Sequence, residues 1–224
     1  MMRHDQPELP ALDTGVTLLE TDARSTCALQ SLVLDQVLLD GGSAVWVDAH
    51  GHGSTHTLSR IAPSMRVLDR IRIARAFTPW QHQSLCQDLA PELTDETAVV
   101  VLPAFDWFYR SDDLPRGDGE RLLSVGLDII SELEETFDIP VLITQHEDDG
   151  LAAPIRACAD HVIRCEQTPH GPRFSGDEYE TLVYPLENGM VQTTFAFWNR
   201  VLTTRHPAIA TADGPTEVST HGSY

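Results

Sequence analysis

Residues 18–29 read LLETDARSTCAL: apolar residues suited to a buried strand, a short polar turn, then an apolar helix opening on Ser25 and Thr26. Strand, turn and helix with a hydroxyl at the helix start is the layout of a phosphate-binding loop. That loop, GxxxxGK followed by Ser or Thr, uses glycines so that backbone N–H groups can wrap phosphates, and a lysine to reach them. Here the glycine places fall on Leu19 and Arg24, Ser25 stands in the lysine place, and Asp22 puts a carboxylate where an anion would sit. The sequence contains no lysine anywhere; all 15 basic residues are arginine. The layout predicts a nucleotide-type scaffold, and its residues argue against hydrolysis. An internal role fits them better: Ser25 and Thr26 as a helix N-cap, with the Asp22 carboxylate satisfying backbone donors in place of a ligand.

Working outward, strands and helices alternate. Residues 16–20 read as a first strand, and the helix over 25–40 stops at Gly41-Gly42. SAVWVD (43–48) and IRIARAF (71–77) read as strands flanking a helical stretch around 56–61, and residues 80–90 as a helix. TAVVVLPAF (97–105) is the most apolar strand, hence central in a sheet. A loop with Pro115, Gly117 and Gly119 precedes a long amphipathic helix over 119–136, followed by the strand PVLITQ (140–145). Residues 161–198 read as strands without intervening helices. The expected architecture is α/β, three layers with a mainly parallel central sheet and C-terminal antiparallel strands. Residues 1–13 read as a flexible lead-in, 14–200 as one core domain, and 201–224 as a disordered tail.

Composition narrows the function. A net charge of −19 disfavours nonspecific DNA binding, which depends on neutralising phosphates. Scattered acids without lysine fit solvation in a high-salt cytoplasm, the alternative being an acidic docking surface for a basic partner. No apolar run reaches the roughly 18–20 residues that span a bilayer, and residues 1–13 lack the apolar segment of a secretory leader, so a cytoplasmic location is expected. Cys27, Cys86, Cys158 and Cys165 show no CxxC spacing and read as small buried or half-buried residues.

The order of segments resembles the ATPase core of the RecA/RadA recombinase family, particularly its short archaeal RadA/RadB type. The most specific match is VLDRIRIARAFTPWQHQSLCQDLAPEL (67–93), similar to the family's "LDNIYVARAFNSDHQ…L", with Ala74, Arg75, Ala76, Phe77, His82 and Gln83 on the pattern. YRSDDLPRGDGERL (109–122) resembles "FRAEYIGRG…ERQ" through Arg110, Arg116, Gly117, Glu120 and Arg121, and VLITQH (141–146) sits where the family has "VVVTNQ". The resemblance spans about residues 16–165. It implies a RecA-like core with degenerate Walker A and Walker B motifs. The first keeps Glu20 and the Thr26 hydroxyl but loses glycines and lysine; the second has Pro103 where the Mg²⁺-holding aspartate belongs. Where the family's second strand ends in "DTE", this chain has Asp48-Ala49-His50, and the short segment after Gln145, HEDDG (146–150), is acidic where DNA contact wants cations.

Asp48, His50, His52 and His56 form a further constellation. An HxH at a strand end can place two imidazoles on one metal ion, with Asp48 orienting one of them. Against this, Gly53-Ser54 stands where a metallohydrolase would need Asp-His, and a histidine-bearing acidic loop needs no metal. Arg110, Arg116 and Arg121 can contact DNA or a partner's carboxylates, or pair with Asp112, Asp113, Asp118 and Glu120. Trp107, Phe108 and Tyr109 can form a stacking platform for single strands, or belong to the core. Arg70, Arg72 and Arg75 on the third strand read as structural pairs or edge residues. The resemblance and the losses together imply an inactive RecA/RadA-like paralogue with no cofactor, regulating or scaffolding recombination and repair through a protein partner such as a RadA-type recombinase. Alternatives are a residual single-stranded DNA-binding module, or a cell-division or other regulator on the same fold.

Overall fold

In this computed structural model, which describes residues 7–22, 27–169, 171–176, 180–182 and 194–212, the strands in chain order are β1 (Gly15–Thr21), β2 (Ser43–Asp48), β3 (Ile71–Arg75), β4 (Thr97–Leu102), β5 (Pro140–Ile143), β6 (His161–Thr168), β7 (Gly171–Ser175) and β8 (Glu180–Leu182). They form one sheet in the order β3-β2-β4-β5-β1-β6-β7-β8. Every neighbouring pair from β3 to β6 is parallel, and β7 and β8 add antiparallel at one end. The helices are α1 (Ala28–Asp40), α2 (Thr55–Ile61), α3 (Pro79–Gln87), α4 (Asp118–Phe137), α5 (Ala152–Cys158), α6 (Thr194–Arg205) and α7 (Pro207–Ala212).

The period of two in the strands divides the core into two halves. Ala44, Trp46, Val99, Val101 and Leu142 face one side with α1, α2 and α6. Val45, Val47, Val100, Leu102, Val141 and Ile143 face the other with α3, α4 and α5. This is the three-layer α/β/α sandwich expected. All six residues of β4 are buried, because the strand lies inside the sheet with helices over both faces. On the second face α4 approaches unusually closely. A Cβ on Gly126 would lie 2.8 Å from the Phe105 ring, and one on Gly119 would lie 2.1 Å from the Tyr109 carbonyl oxygen.

Four segments differ from the sequence reading. Residues 7–13 are part of the core rather than a free lead-in, since Leu9 and Leu12 are buried among α1 and α6 side chains. Residues 194–198, expected as strand, begin α6, and the expected disordered tail is helical as far as Ala212. The cause is an anchor invisible in local propensity. Arg205 makes a two-pronged ion pair with the buried Asp35 of α1, both contacts at 2.7 Å, while Trp198, Val201 and Leu202 are buried. Asn199 donates to the Ala62 carbonyl at 2.8 Å, tying α6 to the end of α2. Helix α5 was also unanticipated: seven residues with Pro154 inside its first turn, held by the buried Ala152 and Ile155. Residues 1–6, 183–193 and 213–224 lie outside the described residues.

Candidate functional site at the carboxyl ends of the strands

Parallel α/β sheets bind ligands in the crevice outside the carboxyl ends of their strands. Here that crown is built from the ends of β1, β2, β4 and β5, and its charged groups are turned on one another. At the end of β2, Asp48 is fully buried. Its carboxylate accepts the Gly53 N–H at 3.1 Å and the Arg75 Nε–H at 2.9 Å, while Arg75 also donates to the Gly53 carbonyl at 3.2 Å. Gln30 of α1 donates to the His52 carbonyl at 2.9 Å. The glycine-containing loop after β2 is thus pinned by Asp48, Arg75 and Gln30, and among the described residues the Asp48 carboxylate bonds Gly53 and Arg75 rather than an imidazole.

The metal constellation does not assemble. His50 stacks on Trp107 with ring centroids 3.5 Å apart, and the His52 centroid lies 5.8 Å from that of His50. His56 leaves on α2 to meet Phe195 edge-on. A third imidazole, His146 after β5, joins the cluster at 5.3 Å from His50 and 4.4 Å from Trp107. Among the described residues no three His, Cys, Asp or Glu side chains converge as a metal site. Burial pushes His50 below the ordinary imidazole range, and the neighbouring His146 adds to this against the pull of Asp48. Burial likewise lowers His52, again opposed by Asp48.

At the end of β4 stands Pro103, which brings no carboxylate. Ala104 follows at φ 46°, in the left-handed region, with its N–H on Thr144 Oγ1 at 2.8 Å. The acid of this segment is Asp106, three residues on and fully buried. It accepts the His146 N–H at 2.6 Å and Arg110 Nε–H at 2.5 Å. Arg110 then donates to Asp149 at 2.5 and 2.7 Å and reaches Glu147 at 3.4 Å. Asp149 therefore sits at about 2, chiefly through its hydrogen bond from Arg110. In place of the expected partners Asp112 and Asp113, Arg110 bridges the buried Asp106 and the exposed Asp149 and Glu147. Arg121 pairs one turn back with Asp118 at 3.4 Å, and Arg116 is exposed.

At β1, Glu20 accepts from Arg156 and Arg164, each at 2.8 Å. Burial alone would raise Glu20; the hydrogen bonds from Arg164 and Arg156 outweigh it and bring the group below its ordinary value. The Asp22 carboxylate accepts the Gln167 N–H of β6 at 3.4 Å, and the Asp22 N–H donates to the Cys165 carbonyl at 3.2 Å. Arg24, Ser25 and Thr26 lie outside the described residues, and with them the expected cap. Helix α1 begins behind Cys27, which has φ 67° and no side-chain capping bond.

This crown and its strand order can be set beside known proteins. No protein-family model matches the sequence, and no curated protein matches it either. Among solved structures, a RadB recombinase matches with a TM-score of 0.62 and 17% identity, over 75% of this chain and 82% of that one. The fold is RecA-like.

Within that RecA-like frame the remaining residues of the 67–93 pattern divide by role. Arg72 pairs with Glu92 at 3.0 Å, and Arg75 closes on Asp48, so both are structural. His82 and Gln83 are buried beside Tyr109: His82 Nδ1 is 2.8 Å from the Tyr109 hydroxyl, which donates to Gln83 Oε1 at 3.2 Å. The aromatic platform therefore comes apart, with Tyr109 in the core and Trp107 and Phe108 half-buried at the surface. Sequence reasoning missed His146 and Asp106. The signal available for Asp106 was its spacing of four residues from Arg110, which places the two on one face of a helical turn.

Proposed function

We propose that this chain is a RecA-type fold that has left the nucleotide cycle and works as a regulator or scaffold in DNA recombination and repair, through contact with another protein. The observation that carries the reading is the occupation of the crown by internal pairs. Asp48 is buried and committed to Gly53 and Arg75. The end of β4 offers Pro103, so no carboxylate there faces a Mg²⁺ ion. ATP chemistry on such a fold needs cations for the phosphates and a carboxylate-held metal. Arg110, Arg156 and Arg164 are instead bound to acids of the chain itself. Fold alone does not assign a pathway; a RadA-type recombinase is the candidate partner because the resemblance of residues 67–93 points to that family.

Titrating MgATP into the purified full chain in molar KCl, by calorimetry and by phosphate release, tests the proposal. No heat and no turnover are expected at millimolar nucleotide. Micromolar binding, or turnover that Asp48→Asn abolishes, would overturn it.

A further inference from the structure

At the rim of the crown, one surface leaves two large aromatic side chains exposed. Phe77 is the most exposed large apolar side chain among the described residues, at 74%, and Trp80 beside it is 54% exposed. They are not loosely hung. The Phe77 N–H donates to Gln81 Oε1 at 3.0 Å, Thr78 caps α3 by accepting the Gln81 N–H at 3.2 Å, and Pro79 fixes the first turn. This stiff corner holds both aromatics toward solvent. Opposite them stand Trp107 and Phe108 from the turn after β4, enclosing a groove of about 670 Å³. Exposed aromatics gathered in one groove, unlike scattered single ones, mark an interaction site.

The charges of the groove select its occupant. Asp112, Asp113 and Glu147 line it, and Arg110, its one arginine or lysine among the described residues, is spent on Asp106 and Asp149 and also reaches Glu147. The whole chain carries −19. A nucleic acid could stack on the rings, but its phosphates would face carboxylates with no free cation. Arginine and lysine side chains suit both features, since they pair with the acids and lie over indole faces. We infer that the groove between Phe77-Trp80 and Trp107-Phe108 docks a basic segment of a partner protein, anchored by an aromatic or long aliphatic side chain. The inference rests on the protein-contact reading above and names the chemistry of that partner.

A random dodecapeptide display library selected against the immobilised full chain supplies the probe, and one enriched peptide, labelled, is then followed by fluorescence anisotropy. Enriched peptides should combine an apolar anchor with two or more Arg or Lys. Trp80→Ala should weaken binding ten-fold or more, as for a central aromatic anchor. The Asp112→Asn/Asp113→Asn double variant should weaken it several-fold and flatten its salt dependence. Both changes lie on the surface, and melting curves matching the parent's show that the fold is kept. No enrichment, a neutral or acidic consensus, or indifference to Trp80→Ala overturns the inference. So does binding of a thirty-nucleotide oligothymidine that Trp80→Ala weakens, which would assign the groove to nucleic acid. MgATP binding by the parent chain sinks the non-nucleotide reading by itself; silent ATP with failed peptide selection sinks only the groove.

Discussion

The buried imidazole of His82 makes stability depend on pH in a window that can be isolated. His82 is fully buried, with Phe105, Tyr109 and Phe108 rings around it at centroid distances of 5.2, 5.4 and 5.9 Å. The Tyr109 hydroxyl gives its proton to Gln83, so Nδ1–H of His82 donates to Tyr109 and Nε2 keeps a bare lone pair. Nε2 has no partner among the described residues, and protonation would bury a charged N–H with no acceptor. Burial accordingly lowers the group from 6.5 to about 4. The folded state then takes up the proton later than the unfolded chain. Stability is full above the unfolded value and is lost as pH falls from about 6.5 toward 4. The whole shift corresponds to about 3 kcal/mol, of which about 2 kcal/mol is gone at pH 5, before most carboxylates titrate. Urea unfolding at pH 7 and pH 5, at one salt concentration, should show the parent losing about 2 kcal/mol more than His82→Asn, which keeps a donor near Nδ1 and cannot charge. Equal losses in the two proteins would refute the argument, as would an imidazole NMR titration of His82 centred near 6.5.

Two further changes probe other parts of the same core. Gly126→Val forces methyl groups into the Phe105 ring, already 2.8 Å from an added Cβ, and should cost about 1–3 kcal/mol by overpacking, read as a lowered melting temperature. Arg110→Ala strips the buried Asp106 of its guanidinium partner and should cost about 3 kcal/mol, with faster amide exchange at His146, whose N–H binds the same carboxylate. Asp106→Asn in that background should restore part of the loss, since the uncompensated charge goes with it.

The parallel half of the fold was legible because each strand carries its own signal. TAVVVL is apolar at every position after Thr97 and is buried at all six. Helix α1 stops at Gly41, where φ is 67°. What escaped was structure specified at long range. Residues 194–198, TFAFW, have the aromatic and β-branched character of a strand. They are helical because Arg205, Asn199 and Trp198 find Asp35, Ala62 and the core, contacts up to 170 positions away in the chain. The site divides in the same way. That residues 18–29 hold no glycine or lysine, and that β4 ends at Pro103, could be read directly, whereas the pairings of Asp48 and Asp106 could not. His146 is unremarkable in HEDDG until β5 brings it beside Trp107, and Phe77 belongs to a family-like ARAF run that gives no hint of exposure.

The proposed loss of nucleotide chemistry has an energetic side beyond missing motifs. Asp48 and Asp106 are both fully buried, and each holds its place through one arginine and backbone N–H groups. A phosphate recruiting Arg75 or Arg110 would have to strand one of those carboxylates in the interior, a cost of several kcal/mol set against any gain from binding. Introducing Gly and Lys at residues 19–26 would therefore leave Arg75 and Arg110 unavailable to a phosphate, because both are already claimed at β2 and β4. The same pairing ties the loops of the crown to one another. Arg75, two residues before Phe77, closes the β2 loop, and Arg110 braces the turn that carries Trp107 and Phe108. The charge network that ties up the crown thus also supports the aromatic groove beside it, so the two proposals, a crown closed to nucleotide and a rim open to a partner, rest on the same arginines.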